Sequence, residues 1–241
     1  MTQTILVIGA SGYTGTAFVP QAARAGHQVH AHFRTGSPSL QRSAEAFRSV
    51  GAHIHECAFT TDELNALVRS VKPDIVCGFL GITRAGAARE EKRTGKRPNY
   101  QEVDFGYTNM VLQVCRAHAP AARFLYLSST GISDSEPSNA YMHARWAMEK
   151  ELRASGQPWT IARPSFITGD NRQESRPAER FAGALVGGIG GALRTMGMPW
   201  VDDHWGPMTN EQLASALLNA ATAPDCQNRI LEAADLRKRL G

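Results

Sequence analysis

Apolar residues along this chain come in short runs separated by longer stretches with helical spacing. Thr4-Ile5-Leu6-Val7-Ile8 is apolar on both faces, as a strand buried inside a parallel sheet must be. His27–Phe33 alternates as a second strand, and Ala52–Phe59 reads as a third. Ile75–Gly81, Arg123–Ser129 and Trp159–Pro164 give three more. Between them, helices are predicted at Tyr13–Ala25, 37–50, Asp62–Val71, Tyr100–Ala117 and Tyr141–Lys150. Gly26 closes the first of these, Pro20 threatens a kink within it, and Thr60 or Thr61 caps the third. Asn210–Ala223 carries an apolar stripe of Leu213, Ala216, Leu217 and Ala220, and reads as a flanking helix. Residues 82–99 are rich in Arg, Lys and Glu without an apolar stripe and read as a solvated loop. Strand and helix alternate throughout, so the pattern predicts an α/β protein with a doubly wound parallel sheet, residues 1–241 forming one domain.

The first strand runs directly into Gly9-Ala10-Ser11-Gly12-Tyr13-Thr14-Gly15. In this spacing Gly9 permits the tight turn, Gly12 lets backbone approach a pyrophosphate, and Gly15 brings the new helix close to the strand. The free N–H groups at that helix start then face an anion, so Gly9, Ser11, Gly12, Tyr13, Thr14 and Gly15 are candidate dinucleotide contacts. Arg34, at the end of the second strand, suits the 2′-phosphate of NADP where an acid would suit the ribose of NAD. Leu80-Gly81, at the tip of the fourth strand, lies where the cofactor crosses the sheet edge.

Composition narrows the classes. Net charge is +4 with no basic stretch interleaved with aromatics, which argues against a nucleic-acid partner. No run approaches the length of a membrane span, and no signal-peptide pattern opens the chain. Cys57, Cys77, Cys115 and Cys226 are scattered, as in a reduced, cytoplasmic protein. His30/His32 and His53/His55 pair along strand faces without an accompanying acid or thiol pattern. They read as solvent-facing or hydrogen-bonded histidines, and no metal site is expected.

Twelve residues beyond Ser129, at the end of the fifth strand, stands Tyr141, with Arg145 on the same helical face about 6 Å away. This arrangement resembles the short-chain dehydrogenases/reductases, which place a Ser at that strand end and Tyr-x-x-x-Lys on the next helix. The glycine loop, Leu127-Ser128-Ser129-Thr130-Gly131 and Trp159-Thr160-Ile161-Ala162-Arg163-Pro164-Ser165 resemble the atypical, NmrA-like side of that superfamily. Three further stretches, Pro164–Gly169, Glu174–Arg180 and Arg229–Arg237, resemble its HIV Tat-interacting-protein-like branch. The resemblance implies a Rossmann fold, a tyrosine acid/base at Tyr141, a hydrogen bond to the substrate oxygen from Ser129, and a cation that lowers the tyrosine pKa. It also implies a substrate-binding portion at about 165–210 and cofactor contact at Pro164.

Two departures stand out. Arg145 replaces the lysine, and Lys150 cannot substitute, since nine residues carry it to the far side of the helix. Cys57-Ala58-Phe59 occupies the position of the acid that holds adenine, leaving backbone atoms of Ala58 and Phe59 for that contact. The expectation is therefore an NADPH-dependent oxidoreductase acting on a small carbonyl or quinone-like substrate, with a non-catalytic NADP(H)-binding sensor or regulator as the alternative. A homodimer stays open as its assembly. Met196, Met198, Trp200, His204 and Trp205 suit either a wall for a small apolar or aromatic ligand or the packing of a lid.

Overall fold

The computed structural model describes residues 1–165, 167–168 and 207–240. Seven strands form one sheet: β1 (Thr4–Ile8), β2 (Gln28–Phe33), β3 (His53–Glu56), β4 (Ile75–Gly78), β5 (Arg123–Leu127), β6 (Trp159–Arg163) and, near the end of the chain, β9 (Arg229–Glu232). They lie in the order β3-β2-β1-β4-β5-β6-β9, and every neighbouring pair is parallel. Two short strands, β7 (Ile167–Thr168) and β8 (Met208–Thr209), make a separate parallel pair.

Helices cover both faces: α1 (Tyr13–Arg24), α2 (Ser39–Ser49), α3 (Thr61–Val71), α4 (Arg84–Thr94), α5 (Thr108–His118), α6 (Ala140–Ala154), α7 (Asn210–Thr222) and α8 (Ala233–Arg237). Alternate residues of one strand feed two cores, as the pleat requires. Ile5 and Val7 of β1 join Phe18, Leu213 and Leu217 under α1 and α7. Leu6 and Ile8 join Leu64, Val68, Leu112, Met148 and Leu152 under α3, α5 and α6. The predicted doubly wound parallel sheet is present, and its edge strand β9 had not been read from the pattern.

Three local expectations change. Residues 82–99 contain α4 rather than a continuous loop: Thr83 caps it by accepting from the Gly86 N–H, and Gly95 ends it in the left-handed region at φ 77°. The helix expected over 100–117 begins as a wide π-type turn, Gln101–Tyr107, before α5, and the altered register carries Asp104 inside. The third strand is confined to His53–Glu56, well short of Phe59. Of the two readings of the β2 histidines, solvent-facing or hydrogen-bonded, the second holds. His30 and His32 are buried, the His30 Nδ1 lies 2.8 Å from His55 Nε2, and the His32 Nε2 lies 3.0 Å from the Cys57 carbonyl. Among the described residues no group of His, Cys, Asp and Glu is arranged to hold a metal ion. α1 runs through Pro20, Thr60 caps α3, and α7 opens with a capping box between Thr209 and Gln212. Most of the expected substrate portion at 165–210, including Met196, Met198, Trp200, His204 and Trp205, lies outside the described residues.

Candidate active site

The sheet order reverses at β1, which pairs with β2 on one side and β4 on the other. Loops leave in opposite directions there, opening a crevice at the carboxyl edge. Gly9 turns the chain at φ 86°, and a Cβ on it would stand 2.8 Å from the Phe79 carbonyl carbon. A Cβ on Gly15 would stand 2.5 Å from the carbonyl oxygens of Gly9 and Ala10, so only glycine lets α1 start this close to β1. The turn is closed by the Gly12 N–H donating to Gly9 O at 2.9 Å. Gly12, as the N-cap of α1, has no side chain with which to cap the helix. This cradle fits a pyrophosphate by shape and by the orientation of its backbone donors. Behind it, α7 acts as a buttress that sequence reasoning did not assign: Asn210 Nδ2 donates to Tyr13 O at 2.7 Å, and Gln21 Nε2 donates to Glu211 O at 3.2 Å.

At the tip of β2, Arg34 follows the strand directly, with Nη2 2.7 Å from Glu90 Oε1 on α4. Arg93 Nη2 reaches the same oxygen at 2.7 Å, and Arg93 Nε donates to Oε2 at 3.2 Å. The hydrogen bond from Arg93 and the nearness of Arg34 outweigh burial and hold the Glu90 carboxyl below the usual carboxylate range. The Ala58 N–H donates to Glu63 Oε2 at 2.6 Å, so that backbone donor is engaged within the protein. The Phe59 ring stacks on Tyr107 with centroids 4.5 Å apart and meets His32 edge-on.

The inward side of α6 carries Tyr141, Arg145 and Glu149 at successive helical turns. Arg145 is only 4% exposed. Its Nη1 donates to Leu127 O at 2.6 Å and to the Tyr126 hydroxyl at 3.3 Å; its Nη2 donates to Leu80 O at 3.0 Å and stands 2.8 Å from Asp104 Oδ1. The guanidinium thus joins the tips of β4 and β5, the π-type turn and α6. Burial raises the Tyr126 phenol pKa despite the opposing Arg145 charge. Gly81 has no room for a Cβ because the Arg145 guanidinium passes against it.

Tyr141 is half-buried, its ring edge-on to Tyr100 at 5.4 Å, with Arg145 Cζ 5.4 Å from its centre. Ser129 is half-buried at the end of β5, whereas Ser128 points inward and donates to Glu149 Oε1 at 2.5 Å. Arg163 clamps the Glu149 carboxylate through Nε at 3.1 Å and Nη2 at 2.6 Å, and reaches Glu232 of β9 at 2.8 Å. Pro164 is buried and accepts from the Thr130 N–H at 3.1 Å. The sequence pattern therefore brought out Tyr141 and Arg145 as neighbours and missed Glu90, Asp104, Tyr126 and Glu149, which hold the site's cations and hydroxyls.

A glycine cradle at the reversal of a parallel sheet, with a tyrosine–cation pair at the same edge, defines a dinucleotide-binding α/β protein. The chain belongs to the NAD dependent epimerase/dehydratase family, which matches residues 5–193 and uses a nicotinamide dinucleotide. Among curated proteins it is 34% identical over 155 residues to mitochondrial protein fmp52 of Aspergillus niger, covering 61% of this chain and 57% of that one. It is 25% identical over 175 residues to NADH dehydrogenase [ubiquinone] 1 alpha subcomplex subunit 9, mitochondrial, of Arabidopsis thaliana, covering 73% of this chain and 41% of that one. The chain thus spans little more than half the length of the fmp52 relative.

Solved structures share the fold. They include the UDP-Glc/GlcNAc 4-epimerase of Campylobacter jejuni, with TM-score 0.65, 14% identity and coverage of 97% of this chain and 81% of that one. Another is AtPrR2 with NADP+ and (+)pinoresinol, with TM-score 0.64, 16% identity and coverage of 96% and 69%. The cytoplasmic location expected from scattered cysteines is corrected by these relatives, since the fmp52 proteins and the Arabidopsis subunit are named as mitochondrial. Reduced cysteines do not separate compartments that both keep thiols reduced.

Proposed function

We propose that this protein is an NADP(H)-dependent oxidoreductase acting on a small carbonyl or quinone-like substrate. The observation that carries the reading is the placement of Tyr141 and the buried Arg145 together at the carboxyl edge of β4 and β5, beside the glycine cradle. Gly9, Gly12, Gly15 and the first turn of α1 would hold the pyrophosphate, and Arg34 the 2′-phosphate. When bound, the cofactor supplies the hydride. The Tyr141 hydroxyl gives its proton to the substrate oxygen, the Ser129 hydroxyl donates a hydrogen bond to the same oxygen, and the Arg145 charge favours the tyrosinate that remains.

The test follows NADPH binding by fluorescence and carbonyl reduction by loss of NADPH absorbance. Tyr141→Phe should lower kcat by about 100-fold or more with NADPH affinity unchanged. Arg34→Ala should weaken NADPH about tenfold or more and NADH far less, as expected for one charge-assisted contact to phosphate. Equal losses for both nucleotides would remove Arg34 from phosphate recognition.

One observation favours a second reading, that of an NADP(H)-binding sensor or regulator. Asp104 neutralises Arg145, and two carbonyls fix its fork, leaving less of its charge for the tyrosine than a free ammonium would give. Tight NADPH binding with no turnover across a broad carbonyl and quinone panel, unchanged by Tyr141→Phe, would establish it.

A further inference from the structure

Two guanidinium groups from distant parts of the chain converge on one carboxylate at the mouth of the adenosine end. Arg34 comes from the tip of β2 and Arg93 from the last turn of α4, and both lie 2.7 Å from the same oxygen of Glu90. The side chains of Arg34 and Arg93 are 39% and 43% exposed, so their forks are open to solvent, while Glu90 between them is 18% exposed. Two positive charges face one negative charge. A carboxylate presents the same planar pair of acceptors that a guanidinium recognises in a phosphate.

We propose that Glu90 occupies the seat of the cofactor's 2′-phosphate, an internal carboxylate that Arg34 and Arg93 grip until the phosphate replaces it. Selectivity for NADP(H) over NAD(H) then rests on three side chains rather than on Arg34 alone. The proposal builds on the NADP(H) reading above and adds Arg93 as a phosphate ligand and Glu90 as its competitor.

The exchange is physically easy. A phosphate monoester carries close to two negative charges near neutral pH and three acceptor oxygens, so it neutralises both arginines where Glu90 neutralises one. Ion pairs as exposed as these are individually weak, so the arginines are released from Glu90 at small cost. Glu90 swings toward water, and α4 keeps its caps at Thr83 and Gly95. In the absence of ligand the pairing lowers the fraction of chains whose arginines are free, which lowers the apparent affinity. NADH, lacking the phosphate, leaves the trio undisturbed.

The full chain tests this by equilibrium binding of NADPH, NADH, adenosine 2′,5′-bisphosphate and AMP. Glu90→Gln should tighten NADPH and the bisphosphate by about threefold to tenfold, with NADH and AMP within about twofold of wild type. Arg93→Ala should weaken NADPH and the bisphosphate about tenfold and leave NADH and AMP alone. Unchanged or weaker NADPH binding by Glu90→Gln overturns the proposal, and selective loss of NADH would show that Glu90 instead accepts from a ribose hydroxyl. If Arg34→Ala discriminates NADPH from NADH while Glu90→Gln and Arg93→Ala do not, this inference falls and the NADP(H) reading stands. If wild type binds neither dinucleotide, both fall.

Discussion

Arg145 and Asp104 are both almost fully buried, and each is the other's ionic partner. Replacing Arg145 by methionine takes the cation from the buried Asp104 carboxylate and strips ligands from the Leu80 and Leu127 carbonyls. Breaking a buried pair from one side costs about 3–5 kcal/mol, whereas removing both charges together costs much less. Arg145→Met should therefore lower the urea midpoint sharply, and Asp104→Asn combined with it should recover much of the loss in a double-mutant cycle. Additive losses would show that the two side chains stabilise the fold independently. The pairing of Tyr141 with Arg145 was legible because four-residue spacing on a helix is geometric. Asp104 was not, because the wide turn at Gln101–Tyr107 breaks the regular register from which a buried face is read.

At the scale of elements, β2 shows what alternation conceals. Its sequence reads as apolar and polar by turns, yet Val29, Ala31 and Phe33 enter one core while His30 and His32 are buried on the other face. Burial, reinforced by neighbouring histidines, lowers the pKa of His30 and of His32 to about 4, with the Cys57 carbonyl opposing the shift at His32. Both stay neutral in the folded chain at pH values where the unfolded chain, near 6.5, has already taken up protons. Stability is thus full above about pH 6.5 and falls as pH drops toward 4. Urea midpoints should decline from about pH 7 to about pH 5, and the slope should flatten in His30→Gln/His32→Gln; an unaltered slope would assign the acid sensitivity elsewhere. α4 gave the opposite difficulty. Ala87 is its one buried residue, so the helix has caps and charge pairs but no apolar stripe to announce it. α1, α3 and α7 were legible because each joins a strong stripe to a recognisable start or stop signal.

For the whole molecule, the run of apolar strands between helical stretches was enough to predict a parallel doubly wound sheet. What it left out is the closing of the sheet by β9, whose four residues show too little pattern to be read alone. β9 binds across to β6 through Arg163 and Glu232, and α7 supports the glycine loop through Asn210 and Tyr13. The second of these contacts spans 197 residues of the chain. A nascent chain leaving the ribosome must therefore hold β1 and its cradle without their backing helix until residue 210 has emerged, and such distant closures are slow to form.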